Sequence, residues 1–433
     1  MMIALILVVL LLTGLPIYVC LGLTSLIFFV AEGIPLDQLT RTFYTGVDQY
    51  ALISVTGFLL VGSLFEKAGV TEALVNMVRR LMASFRSGLA VITIISCAIF
   101  AAVSGSGPAT VATIGGIMVP AMIKAGYTRK FSAGVAASGG ALGILIPPSN
   151  PFLMYGIIAN QSVAALFTAG FIPGFIMAIA LSFTSVILLR FFPRFTTAGR
   201  QEERAYQPLS LKEAISTIWD AKWAILAIII LLGGIYAGFF TPIEAAEVTV
   251  FYSIFIGFFV TRSMKLKDLY EAFANALKLS GTLIILTATG FVFARLLTIL
   301  GIPQAMGQSI GKISDNPNVI LLIIMAFMIF VGTWAETFSQ IIVLTPIFLP
   351  IITQLGVNPI HFGVLFVVCA EIGFLTPPFG ANLFVAMKLS NITLEESFVA
   401  SIPFILCYIA ILVVLVFFPE ISLFLPRLIF GRV

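Results

Sequence analysis

Charge is scarce in this chain. Only 10% of its 433 residues are Asp, Glu, Lys or Arg, where an ordinary soluble domain carries about 25%. Histidine occurs once, at His361, which leaves no material for a His-based triad or a transition-metal centre. Cysteine occurs four times, at Cys20, Cys97, Cys369 and Cys407. Each lies in an apolar run without paired spacing, so these read as small buried side chains rather than a disulfide or metal set. No Walker A sequence is present, so the chain does not couple work to ATP by itself. No catalytic cluster points to an enzyme, and no basic aromatic patch points to nucleic acid. The N-terminal apolar run, 3–30, has no basic region before it and no small-residue cleavage site. It reads as retained membrane structure rather than a signal peptide.

Apolar residues take the place of the missing charge. They make up 60% of the chain, and mean hydropathy is +1.14. So much apolar surface demands lipid, and the chain reads as an all-α polytopic membrane protein. The net charge of +4 fits an excess of Lys and Arg in cytoplasmic loops. Pro16 leaves it open whether 3–30 is one span or two. Symmetry with the runs flanking Pro242 favours two, with both chain ends outside.

Two apolar runs are interrupted by proline: "GILIPPSNPF" from Gly143 to Phe152, and "GFLTPPFGAN" from Gly373 to Asn382. Proline lacks a backbone donor and clashes with the preceding turn, so each motif ends a helix. The two lie 230 residues apart. At that offset Pro120 matches Pro350, Pro147 matches Pro377, Pro148 matches Pro378 and Pro173 matches Pro403. Gly126 matches Gly356, Gly143 matches Gly373, and Leu36, Leu39 and Phe43 match Leu266, Leu269 and Phe273. So many prolines and glycines in register mark an internal duplication. The expected division is a first repeat at 1–190, a cytoplasmic linker at 191–221 and a second repeat at 222–433. The hairpins fall near 88–123 and 318–355, and the broken helices near 131–159 and 361–388.

Charge orients the halves. The first hairpin is flanked by Arg79, Arg80 and Arg86 before it and by Lys124, Arg129 and Lys130 after it, which places both its ends in the cytoplasm. The second is flanked by Asp315, Asn316 and Pro317, then by Asn358, Pro359 and His361, with only Lys312 near. It should enter from outside. Opposed repeats are the plan of secondary transporters, whose sites lie near the midplane where the repeats meet. Irregular backbone at that depth is tolerated where it lines a cavity or is buried in protein.

The candidate ion and solute ligands follow from this plan. Unwound backbone supplies hard carbonyl oxygens suited to sodium. In the first repeat the candidates are Ser104, Gly105, Ser106, Gly107 and Thr110 at the hairpin tip, with Pro147, Pro148, Ser149 and Asn150 at the break. In the second they are Gly332, Thr333, Glu336 and Thr337 at the tip, with Thr376, Pro377, Pro378, Gly380 and Asn382 at the break. The bland alternative is that these groups only satisfy the free backbone of a kink. Glu336 and Glu371 are intramembrane carboxyls, rare and usually functional. Glu336 suits a cation or tip-orienting role, while Glu371 fits an interhelical hydrogen-bonding group equally well. Arg295 reads best as snorkelling to the interface, and Glu244 as a first-turn residue that complements the helix dipole.

The stretches "SGSGPATVATIG", "IPPSNPFLMYG", "FTPIEAAEV", "ILTATGFVFARLLTILGIP" and "EIGFLTPPFGANLFVAM" resemble the large membrane (DctM-type) subunit of tripartite ATP-independent periplasmic (TRAP) transporters. The likeness runs from about Ile3 to Phe418 and is closest in character to the sialic-acid branch, with C4-dicarboxylate carriers nearby. It implies a sodium-driven importer of the bacterial inner membrane working as an elevator. It implies two partners, a small four-helix membrane subunit and a periplasmic substrate-binding protein, and a small anionic solute. Its sodium sites carry over onto Ser104–Gly107 with Pro147–Asn150, and onto Gly332–Glu336 with Thr376–Asn382. No cofactor is expected beyond sodium as coupling ion, and membrane lipid is the surrounding partner. A stand-alone anion/sodium symporter without a binding protein is the other reading.

Overall fold

Proline and asparagine start the helices that matter here, and glycine ends them. Asn316 and Asn358 each cap a helix whose first residue is proline: Asn316 Oδ1 accepts from Asn318 N at 3.0 Å and Asn358 Oδ1 from Ile360 N at 2.8 Å. Proline suits that position because its missing N–H would have no helical partner anyway. At Gly126 and Gly356, matched at the offset of 230, φ is +94° and +74°. There Tyr127 N donates to Met122 O at 3.0 Å and Val357 N to Ile352 O at 2.9 Å. Each closes a helix and turns the chain through a conformation that glycine adopts without strain.

The computed structural model describes residues 2–82, 88–192, 210–311, 314 and 316–431. Among these, helices and turns account for the fold and no strand is present. Five helices are long and apolar enough to cross a membrane, or seven if each of two bent pairs counts as one span. Arg86, Lys312 and Asp315, used above to read topology, lie outside the described residues, as does 193–209 of the expected linker. The polar segment expected as a linker is in part helical, over Leu211–Asp220.

Each half contains a hairpin and a broken helix. The first hairpin runs up Gly88–Ser104 and returns through Gly107–Thr110, a π-helical turn at Val111–Gly115, and Gly116–Lys124. The second runs through Pro317–Gly332 and Thr337–Gln354. The first broken helix is Arg129–Ala141, a 3-10 turn at Leu142–Ile144, then Asn150–Ala159. The second is Pro359–Phe374 and Ala381–Ser390. Both Pro-Pro bonds at the breaks are cis.

Side-chain contacts give the direction of each broken helix. Lys130 Nζ lies 3.1 Å from Glu396 Oε1, so the first broken helix begins beside the start of Leu394–Phe417. That helix follows Ser390 after a short turn, so the second broken helix ends at the same face. Midway, Asn382 Nδ2 donates to Ala137 O at 3.2 Å. At the opposite face Tyr155 OH donates to Pro359 O at 2.7 Å, which sets the last turns of the first beside the start of the second. The two broken helices therefore run antiparallel, and the repeats have inverted topology. One face carries Lys124, Arg129, Lys130 and Lys388, the side that the positive-inside rule makes cytoplasmic.

Around this core the 34-residue helix Leu266–Ile299 crosses its repeat counterpart, which is split into Leu36–Val47 and Ala51–Lys67. A Cβ on Gly46 would stand 3.0 Å from the Ala288 Cα, so the crossing is backbone against backbone. Lys67 ties the crossing to Glu271 at 3.0 Å. The N-terminal run is two helices, Met2–Leu12 and Ile17–Ala31, divided at Pro16 as symmetry favoured. Ile3 packs with Phe28, Phe29, Val292 and Leu296, so the pair forms an antiparallel hairpin. Arg295 is exposed on its helix, consistent with snorkelling.

Candidate functional site

The first tip sits directly on the first break. A Cβ on Gly105 would meet the Pro148 carbonyl oxygen at 3.0 Å and Asn150 Nδ2 at 3.2 Å. Asn150 Nδ2 donates to Gly105 O at 3.4 Å. A Cβ on Gly143 would stand 2.6 Å from both Ser106 O and Thr110 Oγ1. Only glycine at these positions lets the tip approach so closely. Ser104 Oγ donates to Ser106 O at 3.1 Å, and Thr110 Oγ1 donates to the same carbonyl at 2.8 Å. Ser149 starts the helix beyond the break: its Oγ accepts from Phe152 N at 3.3 Å and donates to Ile144 O. Pro147, Pro148, Ser149 and Asn150 are all buried.

The second tip repeats this contact in different chemistry. A Cβ on Gly373 would stand 2.5 Å from Gly332 O, as its partner Gly143 meets Ser106. Phe379 N donates to Thr333 O at 3.0 Å, joining tip to break. Glu336 caps the return helix, its Oε2 accepting from Phe338 N at 3.1 Å and Ser339 N at 3.4 Å. The helix dipole favours a negative group there. Thr333 Oγ1 and Thr376 Oγ1 donate to carbonyls of their own helices, Phe330 O and Ile372 O, both at 2.8 Å. Their lone pairs stay available to a cation. Thr337 Oγ1 is buried without a partner. Gly380, with φ +26°, precedes the helix after the break. Pro378 is exposed and Pro377 half-buried, so the second break is open where the first is covered.

The two halves of the site touch. A Cβ on Gly107, in the first tip, would stand 3.0 Å from Asn382 Oδ1. Asn382 is fully buried, and its Oδ1 has no partner. Thus both tips and both breaks form one contiguous cluster, held together across the repeats by Asn382.

Gln340 went unnoticed in the sequence. Its Nε2 donates to Ala335 O at 2.9 Å, while its Oε1 is buried and unpartnered. It lies 230 residues after Thr110, which braces a carbonyl of the other tip, so the repeat register held the clue. Tyr408, whose OH donates to Ser138 O at 2.9 Å, gave no such signal. Glu371 is fully buried and neither carboxyl oxygen has a hydrogen-bond partner, so the hydrogen-bonding role expected for it finds no support. Glu244 is structural: it forms a capping box with Thr241, whose N donates to Glu244 Oε2 at 2.8 Å.

A pair of inverted repeats with both hairpin tips pressed on both helix breaks is the architecture of an elevator-type secondary transporter. Residues 4–421 match the family described as "Tripartite ATP-independent periplasmic transporter, DctM component". The chain is 36% identical over 415 residues to the isethionate TRAP transporter permease protein DctMQ of Oleidesulfovibrio alaskensis, covering 96% of this chain and 64% of that protein. It is 34% identical over 440 residues to the C4-dicarboxylate TRAP transporter large permease protein DctM of Rhodobacter capsulatus, covering 98% and 97%. It is 30% identical over 426 residues to the sialic acid TRAP transporter large permease protein SiaM of Vibrio cholerae, covering 98% and 97%. A solved structure, the YdaH transporter of Alcanivorax borkumensis, shares the fold at TM-score 0.65 and 14% identity, with 88% of each chain covered.

The protein therefore belongs to the DctM family, the large membrane component of TRAP transporters, and is a multi-pass inner-membrane protein.

Proposed function

We propose that this chain carries an organic acid across the inner membrane on a sodium gradient, receiving it from a periplasmic binding protein and working beside a small membrane subunit. The observation that carries the reading is the fourfold cluster of two tips and two breaks. It gathers backbone carbonyls with the hydroxyl of Ser104 at the first tip, and with the hydroxyls of Thr333 and Thr376 and the carboxylate of Glu336 at the second. Hard oxygens on unwound backbone are what a sodium ion needs. Relatives named for isethionate, C4-dicarboxylate and sialic acid point to small organic anions as the solute class. Sialic acid is our first candidate and a C4-dicarboxylate the second. In this reading both hairpins and both broken helices move together as an elevator against a scaffold of the remaining helices, with Asn382 fastening the second repeat to Ala137 O of the first.

Reconstitution tests this. Uptake of labelled sialic acid and succinate should require an inward sodium gradient, the small subunit and the binding protein. Full-rate uptake by liposomes holding this chain alone would overturn the tripartite reading in favour of a stand-alone symporter. Ser104→Ala and Thr376→Val should raise the sodium concentration needed for half-maximal rate and leave assembly with the small subunit intact. Unchanged sodium activation in both would remove the proposed ion sites.

A further inference from the structure

Far from the cluster, on the Lys- and Arg-rich face, the helix Leu211–Asp220 meets the following helix at 62°. The bend is fixed on both sides. Arg80 Nη1 lies 3.5 Å from Asp220 Oδ2, and Tyr252 OH donates to Trp223 O at 2.9 Å. Its concave side is a groove of ≈ 490 Å³ lined by Ile215, Ile218, Trp219, Trp223, Ile229 and Lys222 among others. Trp219 is 66% exposed and Ile215 59%, so no other described residue covers them. The Lys222 ammonium sits over the Trp219 ring at 4.4 Å and within 5.8 Å of the Trp223 ring.

The charges around the groove are unequal. Asp220 is paired with Arg80, and Glu213 is held in a capping box by Ser210. Lys222 has no carboxylate partner among the described residues and stands at the rim of an apolar trough. A lysine between two tryptophans, where the charged helix Leu211–Asp220 bends into the apolar stretch Lys222–Tyr236, matches the headgroup level. Indole rings and snorkelling ammonium groups both settle there. A protein partner would have to offer an acidic group at this depth, whereas an anionic phospholipid supplies a phosphate and an acyl chain in that geometry.

We infer that the bend is a binding site for an anionic phospholipid, with its headgroup phosphate on Lys222 and an acyl chain along Ile215, Trp219 and Ile229. The site anchors this helix pair at the inner leaflet and is separate from the transport cluster.

The chain has three tryptophans, so replacing Trp334 leaves Trp219 and Trp223 as the two tryptophan fluorophores, excited selectively at wavelengths where tyrosine does not absorb. Trp334→Phe protein is reconstituted into phosphatidylcholine vesicles doped with either brominated phosphatidylglycerol or brominated phosphatidylcholine. Brominated phosphatidylglycerol should reach half-quenching at about fivefold lower content, the ~1 kcal/mol that one lysine contributes beside an anionic surface. Adding Lys222→Gln should make the two lipids equivalent while quenching persists. Trp334→Tyr serves equally if the Phe variant folds poorly. Equal quenching by the two lipids, a preference that survives Lys222→Gln, or tryptophans shielded from both lipids would each overturn the site. The last result would show the groove covered by protein.

Discussion

Where the first hairpin tip begins its return helix with Ser106, the second begins at the matched position with Glu336. One turn later Thr110 braces Ser106 O in the first tip, and its counterpart Gln340 braces Ala335 O in the second. Asn150 donates to its own tip, at Gly105 O, whereas Asn382 reaches across to Ala137 O of the other repeat. The glycines that allow tip and break to touch, Gly143 and Gly373, are the same. Duplication thus left two copies of one backbone cradle with different side chains: a covered, neutral copy and an open copy that carries a carboxylate.

The largest effects should come from what the copies share. Gly143→Ala and Gly373→Ala each push a Cβ to within 2.6 Å and 2.5 Å of a backbone carbonyl oxygen. Overpacking of this kind costs about 1–3 kcal/mol, and here it wedges the tip off the break. Under the proposed sodium coupling, sodium chloride should raise the parent's thermal midpoint relative to choline chloride, and both variants should lose that rise. If only one glycine matters, the two cradles are not equivalent in structure.

Next comes the difference in charge. Glu336→Gln removes a carboxylate that accepts two backbone N–H bonds. Gln keeps an oxygen for those bonds but loses the charge that attracts a cation, so half-saturation by sodium should rise about tenfold or more. Ser106 makes no side-chain capping bond, and Ser106→Ala should shift it only severalfold. A larger effect at Ser106 would make the neutral tip, and not the charged one, the stronger determinant of sodium affinity.

The two asparagines separate local from shared roles. Each gives up one neutral hydrogen bond on truncation, about 1 kcal/mol and about fivefold in sodium half-saturation. Asn382→Ala should also loosen hydrogen exchange in both hairpins. Asn150→Ala should loosen the first hairpin alone. Identical exchange patterns would mean that Asn382 does not join the repeats.

Much of this comparison is legible in the sequence because proline and glycine act through the backbone. The paired prolines at 147–148 and 377–378 break their helices, whereas the single prolines Pro120, Pro173, Pro350 and Pro403 are carried inside helices, and Gly126 and Gly356 end one, so the breaks and turns follow from the Pro-Pro pairs and from glycine after a helix. The charge flanks at Arg129 and Asn316 then imply the inversion that the Lys130–Glu396 and Tyr155–Pro359 contacts display. What stays hidden depends on tertiary approach. Nothing local distinguishes Asn150, which binds its own tip, from Asn382, which crosses to the other repeat. Gln340 looks like one polar residue on an apolar helix until its distance from Thr110 is counted. Tyr408 and Glu371 sit in apolar runs whose partners come from distant helices, and periodicity does not name them.

The smallest effects should lie at the starts of the broken helices, where the copies are fastened by different means. The second starts under a neutral bond, Tyr155 OH to Pro359 O, with the tyrosine ring packed against Phe362 and Phe366 at centroid distances of 6.3 and 6.1 Å. Tyr155 is fully buried. Tyr155→Phe keeps the ring and removes one buried hydrogen bond, so it should cost about 1 kcal/mol and lower the thermal midpoint measurably. The first starts at an ion pair, Lys130 with Glu396, whose side chains are 58% and 37% exposed. Water screens such a pair, and holding two long side chains in one geometry offsets most of what the attraction contributes. Glu396→Gln should therefore leave the midpoint within experimental error, even though its partner distance of 3.1 Å is the more conspicuous contact. A Glu396→Gln loss equal to that of Tyr155→Phe would mean that the first broken helix depends on its cytoplasmic clasp as the second depends on its buried hydroxyl, and the contrast between the two starts would vanish.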